Sequence, residues 1–551
     1  MTAPGSLSTF GPDFCFAYDD WLTHPVGLGS IPADARWTEV AVVGAGIAGM
    51  VAAHELMKLG LRPVVFESGR MGGRLRSQRF GAADDVIAEL GGMRFPRSGT
   101  AFYHYVDQLG LTTRPFPNPL TDAAPSTVID LLGRTHHART LDELPPVFAE
   151  VARAWDGALE QEADFSAMRA AMLDRDVEAV SEIWHRLVPE WDDRTFYDFV
   201  ATSGSFSKLP FGHREIFGQV GFGTGGWDSD FTSSMLEILR VVMSGLEDDQ
   251  HLIVEGAEQV VRRLWAHAPA TAHWPSGTSL AGLHSGAPKP GVSAIRRHRS
   301  GELEVVDRNG VVRHYPAVLV TTQSWLLTTA MDVEEELFPV DLWMALDRTR
   351  YRPSAKTFVM VDRPFWKELD EATGHPKMGM TLTDRHTRGT YLFDNGPDRP
   401  GVICLSYAWD GDAQKVLPMS AQERADLALR TLERIYPTSG IASHVIGEPI
   451  AVSWEADPAF LGAFKSALAG HYRYHRRMYS HFVQDELDDS HRGMFLAGDD
   501  VSWIPGWAEG AVQTALNAVW GIVRHLGGSS HDDNPGPGDV WDDRAPIRLP
   551  S

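Results

Sequence analysis

The sequence predicts an α/β fold: a discontinuous parallel sheet, a second domain on a mixed sheet, and a helical insertion between their parts. Three observations predict it. Residues 40–43 are a short β-branched run, suited to a strand buried on both faces, and lead directly into glycines at G-x-G-x-x-G spacing. Residues 318–321 and 494–497 repeat that apolar signature far downstream, so the same sheet is left and resumed twice. Between these returns, long stretches change to helical spacing or to alternating runs joined by turn residues.

The first unit carries the clearest chemistry. Gly44 permits the tight turn, Gly46 lets a pyrophosphate approach the backbone, and Gly49 brings the next helix onto the sheet. Ala48, Ala52, Leu56 and Leu59 recur at helical spacing, and Gly60 is placed to end that helix. A second strand over 63–66 then delivers Glu67, an acid positioned for the hydroxyls of a ribose. Glycines alone would read as any turn. Glycines after a strand, opening a helix and followed by an acid, specify a Rossmann-like dinucleotide site.

The rest of the chain divides around that unit. Residues 1–37 form an N-terminal arm whose Phe10, Phe14, Phe16 and Trp21 pack it over the body. The dinucleotide domain begins at 38–97, and 98–246 is expected to be a helical insertion or lid. FAEVARAWDGALEQ, FSAMRAAML and VSEIWHRLV all space apolar residues three or four apart. Residues 247–325 return to the dinucleotide domain, with a hairpin signal at Asn309-Gly310. Residues 326–492 form the substrate domain, and 493–527 the third return, where Gly498-Asp499 precedes a buried helix. Residues 528–551 are a polar, proline-rich tail.

Composition narrows the partners. The 551 residues suffice for two or three cores, and 43% apolar with 22% charged content is that of a globular protein. Fifty basic against 73 acidic residues give a net charge of −23, which argues against nucleic acid and anionic membranes. With only Cys15 and Cys404, no disulfide framework or zinc spacing exists, and a cytoplasmic location is expected. No metal motif, signal peptide or membrane span is evident.

The order G-x-G-x-x-G, Glu67, the Gly72-Gly73-Arg74 turn, helical insertion, Gly498-Asp499 and the late WAEGA resembles the FAD-containing amine oxidase superfamily over nearly the whole chain. FGPDF, AELGGMRFP, FGQVGFGTGGWDSDF, AKTFVMVDRPFW, RGTYLFDNG and AGDDVSWIPGWAEG resemble its L-amino acid 2-monooxygenase branch, within it the lysine 2-monooxygenases and mixed oxidase/monooxygenases. The resemblance implies FAD as cofactor, held by Gly44, Gly46, Gly49, Glu67, Gly73, Arg74, Gly92, Met93, Gly498, Asp499, Trp507 and Ala508. It implies an L-amino acid and O2 as small-molecule partners, and a homodimer is the expected assembly.

Four residues are expected to act on the substrate. Arg94, between apolar Met93 and Phe95, offers a planar fork that matches a carboxylate. Tyr407 resembles the tyrosine that shares this carboxylate, although alone it reads as a strand-core residue. Lys356 opens an apolar strand, where a lysine is costly unless used. In relatives it holds a water against the flavin and assists reoxidation. Trp507 matches the aromatic wall beside the flavin. Trp409 lines the pocket or sits in the core.

A basic substrate needs a carboxylate at its far end. Candidates are Asp228 and Asp230 and the cluster Glu247, Asp248 and Asp249; the resemblance favours Asp230, and the cluster reads as surface.

The expected reaction is oxidative decarboxylation of lysine, or else arginine, to the amide one carbon shorter with CO2 and water, with some oxidase activity. The alternative is an L-amino acid oxidase giving keto acid, ammonia and hydrogen peroxide, possibly on aromatic substrates. A scaffold without turnover is the alternative outside enzymes, and Arg94, Lys356 and Trp507 together argue against it.

Overall fold

Val40, Ala41 and Val42 are fully buried, and their strand, Glu39–Val43, is the centre of a five-stranded sheet. The structure, a computed structural model, describes residues 10–81, 83–220 and 231–550. The sheet runs in the order Lys289–Pro290, Arg62–Glu67, Glu39–Val43, Ala317–Val320, Met494–Leu496, and every pairing is parallel. Three distant segments supply it, as the apolar runs predict. The helix Ile47–Lys58 follows the first strand and packs against the buried helix Ala508–His525. Small residues on both let the axes approach. At Gly49 an added Cβ would stand 2.0 Å from the Gly44 carbonyl oxygen.

The second sheet has seven strands and mixed pairing. Its order is Val445–Ser453, Ser354–Val361, Gly401–Trp409, Gly389–Phe393, Met380–Thr383, Thr127–Leu131, Arg134–Ala138. Only the contact between Met380–Thr383 and Thr127–Leu131 is parallel. Ser354–Val361 is buried at seven of its eight positions, so Lys356 points into protein, not solvent. A smaller sheet of four strands holds the expected hairpin, with Leu303–Asp307 paired to Val312–Tyr315 across Gly310 at φ +77°.

The stretch expected to be helical differs at its start. Thr127–Leu131 and Arg134–Ala138 form a hairpin of the mixed sheet, and the run of long helices begins at Pro146–Ala163. The turn is Leu132-Gly133, with φ +52° and +73°. Both central residues are left-handed, as a type I′ two-residue hairpin requires, but leucine is not a turn signal, so the sequence carries no mark of this hairpin. Further helices, among them Phe165–Asp174, Val177–Trp191 and Met235–Met243, pack behind it.

The two chain ends meet on this same body. Phe14, Phe16, Tyr18 and Trp21 are buried. Tyr18 Oη donates to Asn517 at 2.6 Å, and the tail's Asn534 donates to the carbonyl of Trp21 at 3.0 Å. Among the described residues no helix is long and apolar enough to cross a membrane.

Candidate active site

A cavity of about 230 Å³ opens where the parallel sheet's carboxyl ends meet the mixed sheet. One end of it is backbone. Gly44, at φ +112°, turns the chain out of its strand, and its Cβ would lie 2.6 Å from Thr321 Oγ1. Gly46 and Gly73 approach each other closely: a Cβ on Gly46 would meet the Gly73 Cα at 3.9 Å, and one on Gly73 the Gly46 Cα at 3.3 Å. Gly46 is the N-cap of Ile47–Lys58 and Trp507 that of Ala508–His525, and neither end carries a side-chain cap. Two helix N-termini therefore present their positive dipole ends to the cavity.

Glu67 sits at the end of its strand and accepts from the Ala45 N–H at 2.9 Å and the Gly69 N–H at 2.8 Å. Arg74 is held inside the wall. Its guanidinium pairs with Asp499 and donates to the Ala463 carbonyl at 3.1 Å, while Asp499 also accepts from the Gly506 N–H. The G-G-R turn and the late Gly498-Asp499 turn are thus tied together. Thr322 Oγ1 and Gln323 Oε1 are buried at the cavity without partners.

The other end holds the titratable side chains. Lys356 is 3% exposed and donates from Nζ to the Glu89 and Gly91 carbonyls at 3.2 and 2.5 Å. Burial, with Arg94 nearby, lowers its pKa to about 8, against the opposing pull of Cys404 and Glu89. Burial raises Glu89 to about 7, with Ser77 and the Ala257 N–H opposing.

Arg94 lies within a ring of aromatics, with its guanidinium carbon 5.6 Å from the Phe116 centroid, 5.8 Å from Tyr391 and 5.7 Å from Tyr407. Burial works against its charge. The phenols of Tyr391 and Tyr407 and the Glu247 carboxylate outweigh that, and its pKa stays above the ordinary value. Its Nη1 is buried with no acceptor. A buried guanidinium nitrogen left unpaired is costly, and its planar fork has the geometry to take an anion.

The sequence-predicted residues divide as follows. Gly44, Gly46, Glu67, Gly73, Arg74 and Gly92 line the cavity from the first segment. Arg94, Lys356 and Tyr407 line its other end, and Gly498, Asp499, Trp507 and Ala508 line it from the last segment. Gly49 stands behind the wall as a packing residue, and the Met93 side chain enters the core of the mixed sheet. Trp409 stacks edge-on against Tyr407 and Phe464, 5.6 and 5.2 Å between centroids, and so backs the lining. Asp228 and Asp230 lie outside the described residues.

Sequence reasoning missed Glu247 by reading all three acids as surface. Asp248 and Asp249 are exposed, but Glu247 is half-buried within the field of Arg94. It also missed Tyr391, which only the strand pairing brings beside Arg94. Glu509, in the WAEGA segment, accepts from the Phe102 N–H at 2.7 Å and caps the helix Thr100–Gln108.

Glycines lining the cavity, two helix ends without side-chain caps, an acid at a strand end and orphaned acceptors together fit a dinucleotide with a polar ring system at its far end. Comparison with known proteins agrees. The family model described as flavin containing amine oxidoreductase matches residues 47–523. The chain is 31% identical over 547 residues to tryptophan 2-monooxygenase of Pseudomonas savastanoi, covering 92% of this chain and 93% of that one. An L-amino-acid oxidase of Siganus canaliculatus is 24% identical over 510 residues, with 88% and 85% covered. Among solved structures, a putrescine oxidase variant superposes with a TM-score of 0.66 at 19% identity, covering 88% of this chain and 99% of that one. Cyclohexylamine oxidase from Brevibacterium oxydans gives 0.64 at 18% identity, with 89% and 99% covered. These two likenesses concern the fold.

Proposed function

The chain belongs to the flavin-containing amine oxidoreductase family and takes FAD, and from that premise we propose that it is an L-amino acid 2-monooxygenase with some oxidase activity. The coarser statement, an FAD-dependent enzyme of the amino acid 2-monooxygenase or oxidase kind, rests on relatives that match along most of their length. The proposal adds the outcome and the substrate. One observation carries it: Arg94, whose buried Nη1 has no acceptor, lines the same cavity as Lys356, Tyr407 and the dinucleotide cradle.

Bound FAD would supply the acceptor for the substrate's Cα hydride and then the donor to O2. The residues do the rest. Arg94, steadied by Tyr407, takes the α-carboxylate and fixes which face of Cα is presented. Lys356 holds a proton at Nζ beside the reacting centre, where burial makes that proton easy to release. Trp507 closes one wall at the start of its helix. If the imino acid stays enclosed while oxygen reacts, decarboxylation gives the amide, CO2 and water. If it leaves first, hydrolysis gives keto acid and ammonia, with peroxide released.

Lysine, or else arginine, is the substrate we favour. The tryptophan in the relatives' names makes an aromatic side chain the rival. Anaerobic incubation with each amino acid, followed by oxygen and product analysis, tests both layers. Flavin bleaching by amino acids supports the family of reactions, and amide as the main product supports the monooxygenase. Keto acid with stoichiometric peroxide makes it an oxidase, and no bleaching overturns the proposal.

A further inference from the structure

We propose that Glu247 selects a cationic side chain: half-buried on a loop tied to the segment that carries Arg94, it pairs its carboxylate with the side-chain ammonium or guanidinium of a basic L-amino acid whose α-carboxylate Arg94 holds. This rests on the amino acid reading above and adds to it a specificity-determining residue.

The loop that carries Glu247 is fixed relative to Arg94. Gly245, at φ +63°, turns the chain after the helix Met235–Met243, and its carbonyl accepts from Ser98 Oγ at 3.3 Å. Gln250 Nε2 donates to the Leu246 carbonyl at 2.7 Å, and the Arg97 N–H donates to the Asp249 carbonyl at 3.2 Å. Arg97 and Ser98 follow Arg94 within a turn of chain, so both sides of the loop are anchored to the segment that places the guanidinium.

The three consecutive acids then part company. Asp248 pairs with Arg169 at 3.0 Å and Asp249 with His251 at 3.1 Å, and both face solvent. Glu247 forms no hydrogen bond or ion pair with any described residue, although it is half-buried. Among the described residues, the charged and titratable groups that interact with it are Arg94, Tyr391 and its neighbour Asp248. Among the described residues it is a half-buried acid without a hydrogen-bonding partner.

Charge balance says what that partner is. Before substrate arrives, Glu247 and Arg94 offset each other at a distance. A substrate carboxylate on Arg94 makes two anions share one guanidinium in a poorly solvated space, and a positive charge must be added. A basic amino acid whose α-amine is neutral for reaction is itself net neutral, and brings that cation to Glu247. An amino acid with an apolar side chain brings none, so Glu247 must take a proton. Burial raises its pKa to about 7, against Arg94, so that proton is readily available in mild acid and progressively less so in base.

The test is anaerobic flavin bleaching of the holoenzyme by L-lysine and by L-norleucine, its near-isostere without the ammonium, at about pH 6 and about pH 8.5. In the wild type, preference for lysine should widen with pH. In Glu247→Gln, lysine should weaken roughly 30-fold while norleucine tightens, and the pH trend should vanish. Glu247→Asp should keep the preference for lysine at lower affinity, which a merely structural role would not do. Parallel losses for both substrates, no change in Glu247→Gln, or a selective loss appearing only in Asp230→Ala would overturn the assignment. If norleucine or tryptophan bleaches the wild type and lysine does not, the assignment fails while the amino acid reading stands. If no amino acid bleaches it, that reading falls first.

Discussion

Lys356 and Tyr407 stand directly opposite each other on adjacent antiparallel strands, and Lys356 Nζ lies 4.8 Å from the centre of the Tyr407 ring. Sheet register thus places the cavity's one buried lysine against the tyrosine that walls Arg94. The ammonium, its two carbonyl acceptors and the aromatic face form a single unit, so Lys356 can change its protonation without moving.

That arrangement makes Lys356 separable from substrate binding. Lys356→Met should slow the reaction of the reduced enzyme with O2 by about 100-fold and leave anaerobic reduction by substrate far less affected. Stopped-flow measurement of the two half-reactions distinguishes them; equal slowing of both would remove the residue from this role. The wild-type oxygen reaction should lose rate as pH rises through about 8, where Lys356 gives up its proton, and the variant should lack that inflection. Stability moves the other way. The folded pKa is below the usual lysine value of 10.5, so between about 8 and 10.5 the unfolded chain binds a proton that the fold has released. This group's contribution therefore favours the fold increasingly as pH rises across that window.

In the proposed reading, Arg94 holds the α-carboxylate that all amino acids share. Arg94→Ala should raise KM for every amino acid by about 100-fold or more, because the variant leaves a desolvated carboxylate without its fork. Arg94→Lys should recover little of this, since a point charge cannot make the paired contact. Steady-state kinetics over a panel of side chains checks it, and a loss confined to one substrate class would assign Arg94 to the side-chain pocket.

Gly46 and Gly49 share one motif and should fail differently. A methyl group at Gly46, which lines the cavity, meets protein no closer than the Gly73 Cα at 3.9 Å, so Gly46→Ala should leave the thermal unfolding of the apoprotein unchanged but weaken FAD retention. A methyl group at Gly49 meets the Gly44 carbonyl oxygen at 2.0 Å, so Gly49→Ala should cost about 1–3 kcal/mol of stability by prising helix from strand. Flavin release, read as fluorescence, against melting of the apoproteins separates the two. Colourless but equally stable Gly49→Ala protein would reverse the roles.

The contrast shows what a linear reading can reach. The parallel strands are legible because each is apolar along its whole length, and the glycines because their order follows the chain's own path through strand, turn and helix. Lys356 is legible for a related reason, as a cation in a run that can only be buried. Glu247 is not. One acid among three looks solvated, and what sets it apart is a guanidinium brought near by pairing between Phe95–Pro96 and Gln250–Ile253. The Leu132-Gly133 hairpin was hidden because its first turn residue pays the strain of a positive φ that sequence rules reserve for asparagine or glycine. Tyr391 needed register, which no local pattern contains.

The N-terminal arm is held by a buried ion pair as well as by its aromatics. Asp13 accepts from Arg240 Nε at 2.5 Å and Nη2 at 3.0 Å, and from Trp184 Nε1 at 2.9 Å, with the two ionic side chains 1% and 2% exposed. Arg240 in turn lies 4.8 Å over the ring of Trp503, in the turn that leads from Asp499 to Trp507. Removing one charge strands the other. Asp13→Ala should therefore cost about 3–5 kcal/mol, expose the arm to proteolysis, and loosen the wall beside the flavin. Replacing both residues by leucine removes the stranded charge and should cost clearly less, since apolar groups of similar volume tolerate burial. Limited proteolysis and thermal midpoints of the single and double variants check this. If the double variant is as unstable as the single one, packing and not charge is what holds the arm to the insertion.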